Sequence, residues 1–230
     1  MNHLSTKAVI LTRTDYGEAD RIITFLTSEQ GKVRAIAKGV RKPRSKLAGG
    51  IELFSISDIT YIAGKGELRT LVSTRLDIHF GNIVTDIDRT MFGYNMLKVM
   101  NRVLEDEAGR EFYELLVSSL STLDNLQAPK DLAEASFLIR LMSLLGHLPN
   151  FTHDLKGGDL AQSGNYQFSI DDMAFFSSSN GQFTQNHIKL LRLLTHNPPE
   201  TILKIAHIKE YLADLTPIVR TMARQYVIPF

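Results

Sequence analysis

The sequence predicts an α+β protein in two parts: a closed five-stranded β-barrel over residues 1–80, then a helical domain over residues 81–230 interrupted by a β-hairpin or irregular insert at 150–183. Three observations carry that prediction. Up to Phe80 apolar residues fall in short alternating runs broken by turn signals; beyond it they recur three and four apart; and the charge changes sign at the same place. Residues 1–80 hold 13 Lys and Arg against 8 Asp and Glu, net +5, whereas residues 81–230 hold 13 against 17, net −4. An overall charge of +1 thus conceals a basic first part and an acidic second part.

In the first part, residues 8–14, 20–27, 32–39, 52–62 and 67–80 read as strands. Turn signals separate them at Tyr16-Gly17, Gln30-Gly31-Lys32, Gly49-Gly50 and Gly64-Lys65-Gly66. A sheet of that size hides its edges best by closing on itself, and five strands in about 75 residues match an OB-fold. Ile83, Ile87, Met91, Tyr94, Met96, Leu97 and Met100 then predict an amphipathic helix ending near Glu105. A second helix fits residues 110–123, with Phe112, Leu115, Leu116, Ser119 and Leu120 on one face. A third fits residues 131–146, with Pro129 at its start, where a missing N–H is tolerated, and Gly146 at its end. In the insert, Gly157, Gly158, Gly164 and Gly181 surround two alternating runs, residues 166–170 and 173–176, and helical spacing returns at 187–194 and 208–226.

The composition is that of a globular chain, with 43% hydrophobic and 22% charged residues, so neither disorder nor a fibrous class is indicated. Zero cysteines exclude a disulfide framework, a thiol nucleophile and a thiolate zinc site, leaving only His and carboxylates for any metal. The apolar run from Ala8 to Leu11 is too short for a signal-peptide core, and no later stretch approaches the ~20 apolar residues of a membrane helix. The expected location is the cytoplasm, on the nucleoid.

The segment of residues 32–46 carries seven basic residues, Lys32, Arg34, Lys38, Arg41, Lys42, Arg44 and Lys46, and no acid. Strand alternation puts Lys32, Arg34, Ile36 and Lys38 on one face and turns Val33, Ala35 and Ala37 to the core. Pro43 cannot continue a central strand, so residues 41–46 read as a flexible basic loop. With Arg21 on the preceding strand, these residues form a candidate surface for a polyanion, because Lys and Arg neutralise phosphates and release counterions whatever the base sequence. Tyr16, Phe25, Phe54 and Tyr61 are candidate base-stacking aromatics, although a small barrel needs most of its aromatics inside.

Catalytic constellations are sparse. Asp15, Glu18 and Asp20 could serve a metal-dependent nuclease, but an acidic turn beside Arg21 reads more simply as structural. Asp171-Asp172 would diverge on a strand, the seven His show no HExxH spacing, and neither a P-loop nor GxSxG occurs. The expectation is a binding protein that transforms nothing and needs no cofactor. An RNA-binding OB-fold stays open, since barrel and basic loop serve either polymer.

The stretches Asp15-Tyr16-Gly17-Glu18-Ala19-Asp20-Arg21, Phe25-Leu26-Thr27, Gly31-Lys32-Val33-Arg34 and Ala37-Lys38-Gly39-Val40-Arg41-Lys42 resemble the N-terminal signature of the RecO family. The likeness continues through Ser45-Lys46-Leu47-Ala48-Gly49, Glu52-Leu53-Phe54 and residues 64–71. It returns in Leu144-Leu145-Gly146-His147, Asn150-Phe151-Thr152-His153, Gly181-Gln182-Phe183 and Met222-Ala223-Arg224-Gln225-Tyr226. This resemblance implies an N-terminal OB-fold, a C-terminal helical domain and a role in recombinational repair. That role consists of binding single- and double-stranded DNA, annealing complementary strands and, with RecR, helping the recombinase RecA replace single-strand binding protein. It also implies docking of that protein's acidic, apolar-ended tail, for which Arg140, Leu141, Leu145, Phe151 and Arg192 could supply cation and groove; a helix core with solvated arginines explains the same residues. Many family members carry a four-cysteine zinc module where this chain has His153 to Gly158, a site that cannot exist here. The insert is then expected either to be a hairpin held by Tyr166, Phe168, Ile170 and Phe175 or to be mobile.

Overall fold

Five strands close into the barrel: β1 (His3–Tyr16), β2 (Asp20–Thr27), β3 (Lys32–Ala37), β4 (Ser55–Ile62) and β5 (Arg69–His79). The order is β1-β2-β3-β5-β4, with β4 returning to β1. All pairs are antiparallel except β3 with β5, which meet through Ala35–Arg69 and Ile36–Thr70. β1 begins earlier than the apolar pattern suggests, because His3 to Lys7 is recruited by pairing with β4 rather than by its own alternation. A bulge at Leu11 then lets the same strand pair with β2 as far as Tyr16. Described by this computed structural model are residues 3–62, 68–160 and 164–226; the expected turn at Gly64-Lys65-Gly66 lies outside them.

The barrel core alternates small and large side chains. Ala8, Ala35 and Ala37 leave room for Phe25 and Tyr61, whose rings meet edge to face at 5.7 Å. Val9, Leu26 and Ile56 sit opposite one another across β2, β1 and β4, out of step with that core, yet are also buried. They need a cover, and α1 (Ile87–Val103) and α2 (Arg110–Asp124) pack on β1 to provide it. The first compact unit therefore runs Met1–Asp124 and the second Asn125–Phe230, a later division than residue 80, where the charge and periodicity change. Asp86 caps α1 by accepting from the Arg89 amide at 2.9 Å, and the Asp124 carboxylate accepts from the amides of Asn82 (2.7 Å) and Ile83 (3.2 Å).

In the second unit, α3 (Lys130–Leu144) is buried along nearly its whole length and packs against α4 (Gln185–His196) and α6 (Ile208–Tyr226), with the single-turn α5 (Pro199–Ile202) between those two in sequence. Glu134 of α3, itself buried, accepts from both Nε and Nη2 of Arg220 on α6. The insert forms a three-stranded sheet, β7-β6-β8, from β6 (Asn165–Ser169), β7 (Ala174–Ser177) and the two-residue β8 (Phe183–Thr184). Phe175 is its keystone, edge-on to Phe168 (4.9 Å), Phe183 (5.6 Å) and Phe151 (6.2 Å). Tyr166 and Phe168 are buried with it, whereas Ile170 lies exposed at the turn and holds nothing. At the start of the insert the Asp154 carboxylate accepts from the amides of Lys156 and Gly158, both at 2.8 Å.

Candidate nucleic-acid interface

At the tip of the β1–β2 hairpin, Gly17 takes a left-handed φ of 56° and Tyr16 stands 54% exposed. The hairpin clasps the chain that leaves β3. Asp20 Oδ1 accepts from the Gly39 amide at 2.7 Å, and the Arg41 amide donates to the Ala19 carbonyl at 2.9 Å. Asp15 bridges two guanidiniums, accepting from Arg21 Nε at 2.7 Å and lying 3.6 Å from Arg41 Nη1. These contacts, with Arg21 foremost, hold the Asp15 carboxyl below the usual carboxylate range. Asp15 and Asp20 are thus engaged in pinning a loop, as a structural reading of the acidic cluster requires; Glu18 is exposed on the turn between them. Among the described residues no group of three or more His, Asp or Glu side chains is placed to hold a metal ion.

The basic loop is more ordered than its composition suggests. Gly39, at φ 64°, and Lys42 begin successive turns, closed by Lys42 N to Gly39 O (3.1 Å) and Ser45 N to Lys42 O (3.0 Å). Val40 and Ile51 plug into the barrel core on either side of the loop, and Thr74 Oγ1 donates to the Leu47 carbonyl at 3.0 Å. Gly50 allows this approach to β5, since a Cβ there would lie 2.4 Å from that of Thr74. So anchored, the loop presents Lys38, Lys42, Arg44 and Lys46 to solvent, and among the described residues none of the four has an ion-pair partner.

The predicted strand face divides. Arg34 is exposed, and Ala35 and Ala37 turn inward as alternation requires. Lys32, however, reaches back to the C-terminal end of α1, where its ammonium donates to the carbonyls of Asn101 (3.2 Å) and Leu104. It satisfies a helix end and complements its dipole, so it is withdrawn from the polyanion surface. A groove of about 740 Å³ lies across this side of the barrel, with Thr12, Thr14, Ile22, Thr24, Arg34 and Arg69 among its walls. Sequence reasoning missed the threonines and Arg69, because only the closure of the barrel brings them together. Asp106 and Glu107 line the groove as well, beside Lys32, whose amide donates to the Asp106 carbonyl at 3.0 Å. Besides Lys32, the cations that line the groove are Arg34 and Arg69. Of the four aromatic candidates Phe25, Phe54 and Tyr61 are core residues and only Tyr16 is exposed.

In the second unit the five candidate docking residues do not form one set. Leu141 is fully buried in the helical core, and Arg140 and Leu145 are half-buried. Phe151 and Arg192 do come together: Arg192 Nε donates to the Phe151 carbonyl at 2.8 Å, and both line a cavity of about 200 Å³ with Leu148, Pro149 and Thr195. Arg192 Nη2 is buried there with no hydrogen-bond partner among the described residues.

A barrel of this strand order, carrying an anchored cationic loop and followed by a helical unit, belongs to the class of OB-fold proteins with an appended helical domain. The family models for recombination protein O match residues 1–77 (N terminal) and 84–228 (C terminal), so the chain belongs to the RecO family. It is 39% identical to a protein of Desulfatibacillum aliphaticivorans over 65% of this chain and 59% of that one. It is 32% identical to one of Acetivibrio thermocellus over 77% and 70%, and 27% identical to one of Dehalococcoides mccartyi over 95% and 88%. All three relatives are named DNA repair protein RecO, and the chain spans from three-fifths to nine-tenths of their lengths.

Proposed function

We propose that this chain is a cytoplasmic, nucleoid-associated recombination mediator in DNA repair. It acts by binding rather than by transforming a substrate. Its barrel unit holds single-stranded DNA, and double-stranded DNA as well, through Arg34, Lys38, Lys42, Arg44 and Lys46. Neutralising the backbones of two strands lowers the repulsion that opposes their annealing. With RecR, it helps load RecA onto DNA coated by single-strand binding protein. The observation that carries the reading is the anchored loop of four exposed cations, unpaired among the described residues, that follows the strand lining the groove with Arg34. An acidic patch would repel a phosphate backbone, and a floppy basic tail would lose more entropy on binding than a preformed loop. Arg21 and Arg41 form a second tier, since Asp15 already engages both. In the helical unit, the cavity with Phe151 beside it and the unpartnered Arg192 nitrogen suits a carboxylate followed by an apolar side chain, the chemistry of the single-strand binding protein tail.

The test is Lys42→Glu with Arg44→Glu, neither of which disturbs the Asp15 bridge. Single-strand affinity at low salt is expected to fall at least about ten-fold, and the slope of log K against log salt to flatten by about 1.4, the value for two lost phosphate contacts. Unchanged affinity sinks the reading. Magnesium-dependent cleavage of the strand would favour a nuclease instead, and preference for a matched RNA oligomer an RNA-binding role.

A further inference from the structure

The helix α1 leaves one of its faces uncovered. Phe92, Met96 and Met100 are buried towards the barrel, but Ile87, Met91 and Tyr94 are 80%, 58% and 47% exposed. Their spacing of four and then three places them in line along one side of the helix, a stripe about 10 Å long. Single exposed apolar side chains are ordinary on a protein surface; a continuous stripe at helical spacing marks a surface that meets something.

The two ends of this stripe are oppositely charged. Asp86 and Asp88 are exposed at the N-terminal end, and Lys98 and Arg102 at the C-terminal end. The remaining charged residue of α1, Arg89, is buried and donates to the Leu123 carbonyl. A face that is acidic at one end, apolar in the middle and basic at the other is complementary to itself when turned end for end.

We propose that α1 is a self-association surface, pairing antiparallel with α1 of a second copy about a two-fold axis that passes between Met91 and Tyr94. Met91 then packs on the partner's Tyr94, and Ile87 on the aliphatic stem of the partner's Lys98, whose ammonium reaches Asp88. The two-fold repeats each contact, so the Asp88–Lys98 pair forms once at either end. A parallel pairing would set acid against acid and base against base. The stripe is small beside the ~1,200–2,000 Å² of a standard interface, so the dimer is weak, with dissociation in the micromolar range.

Sedimentation velocity of the full chain without DNA, from about 1 to 200 µM, reads this directly and is independent of the DNA-binding role. A reversible monomer–dimer equilibrium is expected. Met91→Glu, at an exposed position, should abolish the dimer while leaving the melting curve unchanged. Asp88→Lys should weaken the dimer about ten-fold, and adding Lys98→Glu should restore it, because reversing both ends preserves the match. A chain that stays monomeric throughout, or a dimer indifferent to Met91→Glu, overturns the proposal. So does a folded Asp88→Lys/Lys98→Glu variant that remains as weak as Asp88→Lys alone, and so does capture of a different protein by this stripe in a chain that does not self-associate.

Discussion

The basic loop of the barrel unit and the core of the helical unit use their charges in opposite ways. In Asn125–Phe230 the buried Glu134 carboxylate accepts from Nε and Nη2 of Arg220, and Asp154 is taken up by two backbone amides. In Met1–Asp124 four cations of one loop, Lys38, Lys42, Arg44 and Lys46, face solvent with no ion-pair partner among the described residues. Pairing a buried carboxylate fixes packing, because Glu134 would be costly to desolvate without Arg220. Exposed like charges on an anchored loop fix nothing and repel one another, which is tolerable where a polyanion completes them. The lesson extends into the basic segment itself. Lys32 and Arg41 differ from Lys42 and Arg44 in partner rather than in type, and only the structure separates structural from available cations.

The comparison is broken most forcefully by removing the centre of the insert. Phe175→Ala should cost the helical unit about 3–5 kcal/mol, since the ring is fully buried among three others and the hole cannot collapse. Denaturant unfolding measures it. Single-strand binding should survive in conditions where the variant is folded; a parallel loss would show that DNA binding is shared between the units. Chelators should leave the same transition untouched, because the sequence has no cysteine and no group of three His, Asp or Glu among the described residues is placed to hold a metal.

A smaller effect tests the aromatic side of the barrel. Tyr16→Ala removes an exposed ring from a hairpin tip, so stability should barely change, whereas single-strand affinity should fall by about 1–2 kcal/mol if a base stacks there. Equal affinities in a filter-binding titration would take Tyr16 out of the interface. Smaller again is the contrast between Lys32→Met and Arg34→Met. The first should lower stability by about 1 kcal/mol through the lost charge-assisted bonds to the end of α1, with affinity almost unchanged. The second should do the reverse. If both weaken binding equally, Lys32 leaves its helix end to meet DNA.

Much of this was legible in the sequence because it depends on local pattern. β2 and α6 fall where periodicity puts them, and the inward turn of Ala35 and Ala37 follows from alternation alone. What could not be read depends on contacts distant in sequence. The long start of β1 is imposed by β4, and the retention of α1 and α2 by the barrel follows from the outward-facing Val9, Leu26 and Ile56. The fate of Lys32 is decided by carbonyls some seventy residues away. β8 was missed because two residues carry no period, and Ile170 was misplaced because alternation continues across a turn that the strand does not.

The smallest expected effect lies at Asp15, and it decides which tier Arg21 and Arg41 belong to. The Arg21 hydrogen bond, assisted by the charge of Arg41, holds the folded carboxyl below its ordinary 3.8. A depressed folded value means that the bridge contributes its stability above the unfolded value and loses it as pH falls through the folded one. At neutral pH the Asp15 bridge between hairpin and loop is therefore intact, and it opens only as pH falls through that lowered value. Carbonyl-carbon NMR should place the Asp15 midpoint below 3.8, with Arg21→Ala moving it most of the way back and Arg41→Ala less. If the two substitutions act equally, Arg41 is bound as firmly as Arg21 and both belong to the scaffold. If Arg41→Ala leaves the midpoint where it was, Arg41 is free to join Lys42 and Arg44 in the cationic loop.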